Sequence, residues 1–301
     1  MTSPHPSRLK AIVKVMRLHQ WSKNALVAIP VLLAPHALAS GGLSRAILGA
    51  LSLSLCASAG YVFNDLLDVA ADRAHPTKRT RPFASGALPL GYGPPLLLVL
   101  LALSVGISVR ALPLSFLTML ALYFVITLSY SFYFKSKLLI DVIVLAWLYT
   151  QRVLAGGFAT GVSISAWLLA FSMFIFLSLA FAKRYTELRN AVDENGKLRS
   201  RAYQAQDLSM VAAMGTTAGY IAVLVFCLYI DSTSVSVIYP QPRLLWIICP
   251  VLLYWISRVW FLTHRGEMHD DPVKFAVTDR QSWLCALIIG SVAAAARFWP
   301  F

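Results

Sequence analysis

Charge is what this sequence has least of. Only 13% of its 301 residues are Asp, Glu, Lys or Arg, and 58% are hydrophobic; soluble domains hold about 25% charged and about 45–50% apolar residues. That shortage, with a mean hydropathy of +0.68, excludes a soluble domain and fits an integral membrane protein. Acid is scarcest: 13 Asp and Glu against 26 Lys and Arg, a net charge of +13. Cysteine is also sparse. Cys56, Cys227, Cys249 and Cys285 stand isolated in apolar runs, without metal or disulfide spacing, and read as packing residues. Strand-period alternation is missing, which excludes a membrane barrel and leaves helices to satisfy the backbone. The first 22 residues lack the apolar core of a cleavable signal peptide. Their "LKAIVKVMRLHQWSKN" reads instead as a basic amphipathic helix on the inner membrane surface.

Apolar runs of about 20 residues, enough to cross a ~30 Å hydrocarbon core, are abundant. Nine are expected, near 24–40, 46–68, 93–112, 114–134, 138–160, 163–182, 207–231, 243–262 and 280–299. The first is the weakest, interrupted by Pro30, Pro35 and His36. Basic residues cluster before span 1 (Arg8, Lys10, Lys14, Arg17, Lys23) and after span 2 (Arg73, Lys78, Arg79, Arg81). They cluster again after span 4 (Lys135, Lys137), span 6 (Lys183, Arg184, Arg189, Lys197, Arg199, Arg201) and span 8 (Arg265, Lys274, Arg280). This positive-inside alternation predicts a cytoplasmic N-terminus and an external C-terminus. The net charge is therefore topology plus attraction to anionic lipid, not a nucleic-acid signal. One membrane domain over 1–301 is expected, with a cytoplasmic segment at 1–22 and cytoplasmic loops at 69–92 and 183–206.

Against this scarcity, three of the thirteen acids fall together. The span "AILGALSLSLCASAGYV" runs into "FNDLLDVAADRAHPTKRTRP". On a continuous helix Asp65, Asp68 and Asp72 fall within about a 60° arc, flanked by Asn64. Three like charges on one face repel, and a hard divalent cation explains their stacking. Mg²⁺ takes oxygen ligands and is typically held by one or two carboxylates plus substrate phosphates. Lys78, Arg79 and Arg81 follow at once, and such cations bind phosphate. Carboxylates for Mg²⁺ beside cations for phosphate describe a diphosphate site; a topology-only loop would not need both.

Other expected cytoplasmic ends repeat the theme more weakly. Lys23 and Asn24 open span 1; Tyr130, Lys135 and Asp141 lie around span 4 to 5; Lys183, Arg184, Tyr185 and Glu187 lie where span 6 leaves the bilayer. Asp141 reads equally as a first-turn helix residue. Arg152, inside span 5, reads as a deep cavity residue, because ionisable groups within spans are costly.

These residues carry a resemblance. "NDLLDVAADR" resembles the first aspartate-rich motif, N-D-x-x-D-x-x-x-D, of the UbiA superfamily of intramembrane prenyltransferases, and "KRTRPFASGAL" resembles the R-x-R-P-x-x-x-G run that follows it. The resemblance implies nine helices under a cytoplasmic cap of loops 2–3, 4–5 and 6–7. It also implies Mg²⁺ on Asn64, Asp65, Asp68 and Asp72, and substrate phosphates on the basic loops. Typical members carry a second aspartate-rich motif after helix 6, and here that place reads "AKRYTEL". With "HQWSKN" and "YSFYFKSKLLIDV", this is similar to the branch containing decaprenyl-phosphate phosphoribosyltransferase. The implied reaction moves 5-phosphoribose from phosphoribosyl diphosphate to a polyprenyl phosphate at the inner face of the plasma membrane. Asp65, Asp68, Asp72, Lys183 and Glu187 are then the candidate catalytic residues. Lys23, Asn24, Lys78, Arg79, Arg81, Tyr130, Lys135, Asp141, Arg152, Arg184 and Tyr185 are the candidate substrate contacts.

Transfer of a prenyl group from a prenyl diphosphate to an aromatic or other acceptor is the alternative on the same fold. A secondary transporter would also tolerate intramembrane charge, but its sites lie near the midplane, whereas these charges gather at one level. A non-catalytic assembly protein leaves the aspartates unexplained. Chain length of the lipid and oligomeric state are not written in the residues.

Overall fold

The computed structural model describes residues 8–193, 202–268 and 271–299, and among them every regular element is helical. Eight helices are long and apolar enough to cross a membrane: Gly42–Leu67, Leu90–Ala111, Leu114–Phe132, Ile140–Thr160, Ala166–Asn190, Ala205–Asp231, Pro242–Arg265 and Arg280–Phe298. They match the expected spans 2 to 9, as a multi-pass membrane protein requires.

The expected span at 24–40 is corrected. It is no continuous helix but a 3₁₀ stretch, Leu18–Ala28, then Ile29–Leu33 and Pro35–Ala39. Ala34 between the last two leaves helical space, at φ −120° and ψ 86°. The cause is local: the Pro35 ring disfavours the α conformation in the residue before it. Long 3₁₀ runs are themselves uncommon because their hydrogen bonds are poorer. The broken segment is nevertheless packed, with Val27 and Val31 fully buried.

The described chain divides into two compact units. One comprises residues 1–132 and 151–163, the other 133–150 and 164–301. In the first, the Gly42–Leu67 helix is apolar around most of its circumference and buries residues on every side, from Ala46 to Asp65. Its buried Ser52 hydroxyl bonds Ser104 and Ser108 of the Gly93–Ala111 helix, at 3.1 and 2.9 Å. Such interhelical bonds replace the hydrophobic drive that lipid removes. The expected amphipathic N-terminal helix is present as Arg8–Met16. Its Ala11 and Val15 join Leu55, Val62 and Phe83 in one core cluster, and Lys14 Nζ donates to the Thr80 carbonyl at 3.0 Å. This pins the N-terminal segment to the loop after the aspartates. Residues 1–7 of that segment lie outside the described part.

In the second unit the Ala166–Asp193 and Leu208–Asp231 helices pack side by side, joined through Ser178, whose hydroxyl donates to the Gly215 carbonyl at 2.7 Å. Arg258, a charge within a span, is answered by Asp279, the N-cap of the Arg280–Phe298 helix. Two bonds of 2.8 and 3.0 Å join them. Burial pulls the Asp279 pKa upward, but bonds from Arg258 and from the Ser282 amide and hydroxyl outweigh it and leave it lowered. A lowered carboxyl stabilises the fold above its unfolded pKa of about 3.9, and loses that contribution as pH falls through the folded value.

Two outcomes follow. A Cβ on Gly156 would run into the Val27 carbonyl and the Pro30 ring, whereas one on Gly106 meets open space. Gly156→Ala is expected to cost about 1–3 kcal/mol in a denaturing-detergent titration, with Gly106→Ala neutral or slightly stabilising. The acid-side loss of stability below about pH 4 is expected to shrink in Asp279→Asn, measured as thermal midpoint against pH.

Candidate active site

The acidic cluster spans a helix boundary. The Gly42–Leu67 helix ends before Asp68, which sits at φ −87° and ψ 6°, and a new helix, Val69–Ala74, follows. The expectation of three acids stacked on one continuous helix is thereby corrected. Across that boundary Asp65 and Asp72 meet one guanidinium: Arg81 Nη1 lies 2.8 Å from Asp72 Oδ2 and 3.2 Å from Asp65 Oδ1. Arg17 Nη2 reaches the same Asp65 oxygen at 2.6 Å. Both carboxylates are buried, 2% and 3% exposed, so their mutual repulsion demands such compensation.

Arg17 is placed by an unusual backbone. It holds φ 51°, a left-handed conformation that few non-glycine residues adopt, and its guanidinium lies 4.7 Å from the Tyr61 ring centre. Lys14, Arg17, His19, Asp65, Thr80, Arg81 and Pro82 line a cavity of about 230 Å³. Asp68 is half-buried, Lys78 and Arg79 are exposed on a short 3₁₀ turn, and Asn64 donates to the Ser131 hydroxyl at 2.9 Å.

The donor set suits a hard cation. Asp65 and Asp72 present carboxylates to a single point that Arg81 now fills, and Asp68 and Asn64 supply further oxygens nearby in the chain. Among the described residues no three His, Cys, Asp or Glu side chains assemble a metal site. Asp65 and Asp72 supply the oxygen ligands that Mg²⁺ takes, an ion typically held by one or two carboxylates and completed by substrate phosphates.

In the second unit Asp141 is the hub. It sits in the first turn of the Ile140–Thr160 helix, fully buried. Arg184 Nε approaches its Oδ2 at 2.8 Å, as an ion pair outside hydrogen-bond alignment, and Tyr203 Oη donates to its Oδ1 at 2.8 Å. Burial first, then the Asp141 charge, push the Tyr203 phenol well above its ordinary range, so it stays a donor. The same hydroxyl accepts the Leu139 amide at 3.1 Å, where Leu139 holds φ 63°. Arg184 also pairs with Glu187. Arg184, expected as a phosphate contact, has its side chain fully enclosed and paired with the two carboxylates. Tyr185 is buried and bonds His264 Nδ1 at 2.9 Å. Lys183 and Lys135 are half-buried, as is Tyr130 of the first unit.

Arg152 is buried in the first unit. Its Nε donates to Asn24 Oδ1 at 2.9 Å and its Nη2 to the Tyr123 hydroxyl at 3.1 Å, while Asn24 donates to Ser54. Asn24 and Arg152, both expected at substrate, thus form a buried polar network with Tyr123 and Ser54; Lys23 beside them is half-buried.

Sequence reading passed over Lys14, Arg17, His19 and Thr80 around the acids, and Tyr203 at Asp141. Arg17 was visible only as topology charge. A signal existed for it in the shortage of acid, since a buried Asp requires a nearby cation. Nothing local marks Tyr203, 62 residues from Asp141. The cytoplasmic loop expected at 183–206 is in part outside the described residues, which omit 194–201 with Lys197, Arg199 and Arg201.

Removing one partner of a buried ion pair leaves an uncompensated charge, at about 3–5 kcal/mol. Arg184→Met is expected to lower stability by that order in a denaturing-detergent titration, and Arg184→Met with Asp141→Asn to recover much of it. Equal loss in the single and double variants would contradict the pairing.

The UbiA prenyltransferase family profile matches residues 26–296. Uncharacterized protein y4nM of Sinorhizobium fredii is 35% identical over 95% of this chain; the chain spans 55% of that relative's length. Nodulation protein NoeC of Azorhizobium caulinodans is 38% identical over 90% of this chain and 88% of its own. Decaprenyl-phosphate phosphoribosyltransferase of Mycobacterium tuberculosis is 31% identical over 99% of this chain and 98% of its own. In fold, the chain is similar to a UbiA homolog from Archaeoglobus fulgidus solved with GPP and Mg²⁺. Its TM-score is 0.68 at 14% identity, over 95% of this chain and 99% of that one. A profile match across most of the chain, with the clustered aspartates and the all-helical membrane fold, makes this protein a member of the UbiA prenyltransferase family.

Proposed function

We propose that this protein transfers 5-phosphoribose from phosphoribosyl diphosphate to a polyprenyl phosphate and releases diphosphate. The observation that carries the proposal is the pair of buried carboxylates, Asp65 and Asp72, converging on one cation beside a cavity rich in Lys and Arg. That is chemistry for a metal-bound diphosphate. The donor's identity is supported by the bases of "AKRYTEL" and by similarity along the whole chain to decaprenyl-phosphate phosphoribosyltransferase.

Asp65, Asp72, Asp68 and Asn64 would hold Mg²⁺, which supplies charge neutralisation at the leaving diphosphate. Arg81 and Arg17, now paired with Asp65 and Asp72, would turn to the donor's phosphate oxygens. Both are bidentate-capable cations, so they bind and orient the diphosphate. Lys78 and Arg79, exposed on the adjoining turn, extend the same positive field to the donor's phosphates. The acceptor phosphate is already an anion, so attack at C1 of the ribose requires no strong general base. Lys183, Lys135 and Lys23 are proposed for the acceptor phosphate or the ribose 5-phosphate. Asp141, Arg184 and Glu187 would position Lys183 by fixing the helix end that bears it. The polyprenyl tail would lie against lipid-facing helices. The plasma membrane, with the site on its cytoplasmic face, is the proposed location.

Prenyl transfer to an aromatic or other acceptor is the second reading, favoured by the family itself. The two are separated by incubating purified protein and Mg²⁺ with polyprenyl phosphate and labelled phosphoribosyl diphosphate, then extracting lipid. Label in the organic phase is the expected result; label there only from a prenyl diphosphate would overturn the proposal. Asp65→Asn and Asp68→Asn are each expected to reduce turnover by at least about 100-fold, if the lost contact is worth about 3 kcal/mol, with the fold intact. Near-wild-type turnover in both would remove the metal assignment.

A further inference from the structure

Cys227 and Cys249 were read as isolated packing residues, and 22 positions separate them. The structure brings them into contact. The Cys227 thiol reaches Cys249 Sγ at 3.4 Å, and both are free thiols. The approach belongs to a register that runs along two helices, Leu208–Asp231 and Ile248–Arg265. Gly215 faces the Trp260 ring and, one turn on, Gly219 faces Ile256, one turn back. The Tyr220 hydroxyl meets Ser257 Oγ at 3.0 Å. Cys227 and Cys249 continue that antiparallel series at the helix ends remote from His264 and Arg265. The glycines let the backbones come close, since a Cβ on either would strike the partner side chain. Trp260 is held in turn by its indole N–H bond to Ser178, 3.0 Å. The sulfurs thus meet along a register that the backbone packing shares.

We propose that Cys227 and Cys249 form an oxidisable dithiol that closes an interhelical disulfide. The co-reactant is a low-molecular-weight disulfide able to enter the membrane boundary. Cys227 is half-buried and Cys249 is 7% exposed, which sets the order of events. Cys227 loses its proton and attacks one sulfur of the oxidant, forming a mixed disulfide and releasing one thiol. Cys249 then loses its proton and attacks the Cys227 sulfur, closing the protein disulfide and releasing the second thiol. Two protein S–H bonds are lost, one S–S bond is formed, and the oxidant leaves as two thiols. Disulfides require close Cα atoms and converging Cβ vectors, and the 3.4 Å approach of the two sulfurs is what such facing positions give. Cys56 and Cys285 are buried without a sulfur partner among the described residues.

The test uses the full chain in lipid nanodiscs, treated with dithiodipyridine and then denatured, alkylated and digested. The expected product is a linked peptide containing Cys227 and Cys249, lighter than the reduced pair by two hydrogen atoms, with neither cysteine carrying a pyridyl or alkyl group. Thermal melting of the treated protein is expected to shift upward, and reductant to reverse it. Cys249→Ala is expected to trap the pyridyl adduct on Cys227. Separate adducts or alkylation on both cysteines of the unmutated chain would overturn the proposal, and that reading does not depend on any variant folding.

Discussion

The arrangement of the first unit depends on how two buried carboxylates are neutralised. Asp65 and Asp72 lie on either side of a helix break, and Arg81 closes the break by bonding both. In a membrane boundary neither carboxylate is tolerable alone, because desolvation of an isolated charge costs several kcal/mol or more. One cation therefore fixes the end of a spanning helix, the short helix after it and the loop that carries Arg81 itself. Arg17 adds the N-terminal segment to the same knot. A site built this way stays assembled and can be re-used. A divalent ion that displaced the guanidinium would meet carboxylates already converged, and the displaced arginine would be at hand for the anion that accompanies it.

The second unit solves a similar problem differently. Arg184 is a fully enclosed cation between Asp141 and Glu187, and Tyr203 adds a hydroxyl that stays protonated. These groups tie together the start of one spanning helix, the end of another and Tyr203 just before a third. Asp141 and Arg184 are too deeply enclosed to face solvent. Lys183, half-buried on the same helix end as Arg184, is the neighbour they are proposed to position.

Much of this was legible in the residues. Hydropathy located eight spanning helices because a bilayer fixes both their length and their polarity. The failure at 24–40 has a cause visible in retrospect, Pro35 acting on Ala34, yet hydropathy averages over such single residues. The identity of the acidic cluster was legible because acids are so few, but its shape was not. A 3.6-residue period assumes a continuous helix, and the chain breaks at Asp68. Contacts between distant positions were invisible throughout. Asp141 with Tyr203, Arg152 with Asn24, and Cys227 with Cys249 follow from packing, and no local spacing announces them.

Asp65 and Asp72 are proposed to exchange their arginine for a metal-bound diphosphate. Titration calorimetry of inorganic diphosphate into the purified protein, with and without Mg²⁺, tests it most directly. Binding that requires Mg²⁺ and is lost in Asp65→Asn is the expected result. Diphosphate binding of equal strength without Mg²⁺, and undiminished in Asp65→Asn, would contradict it.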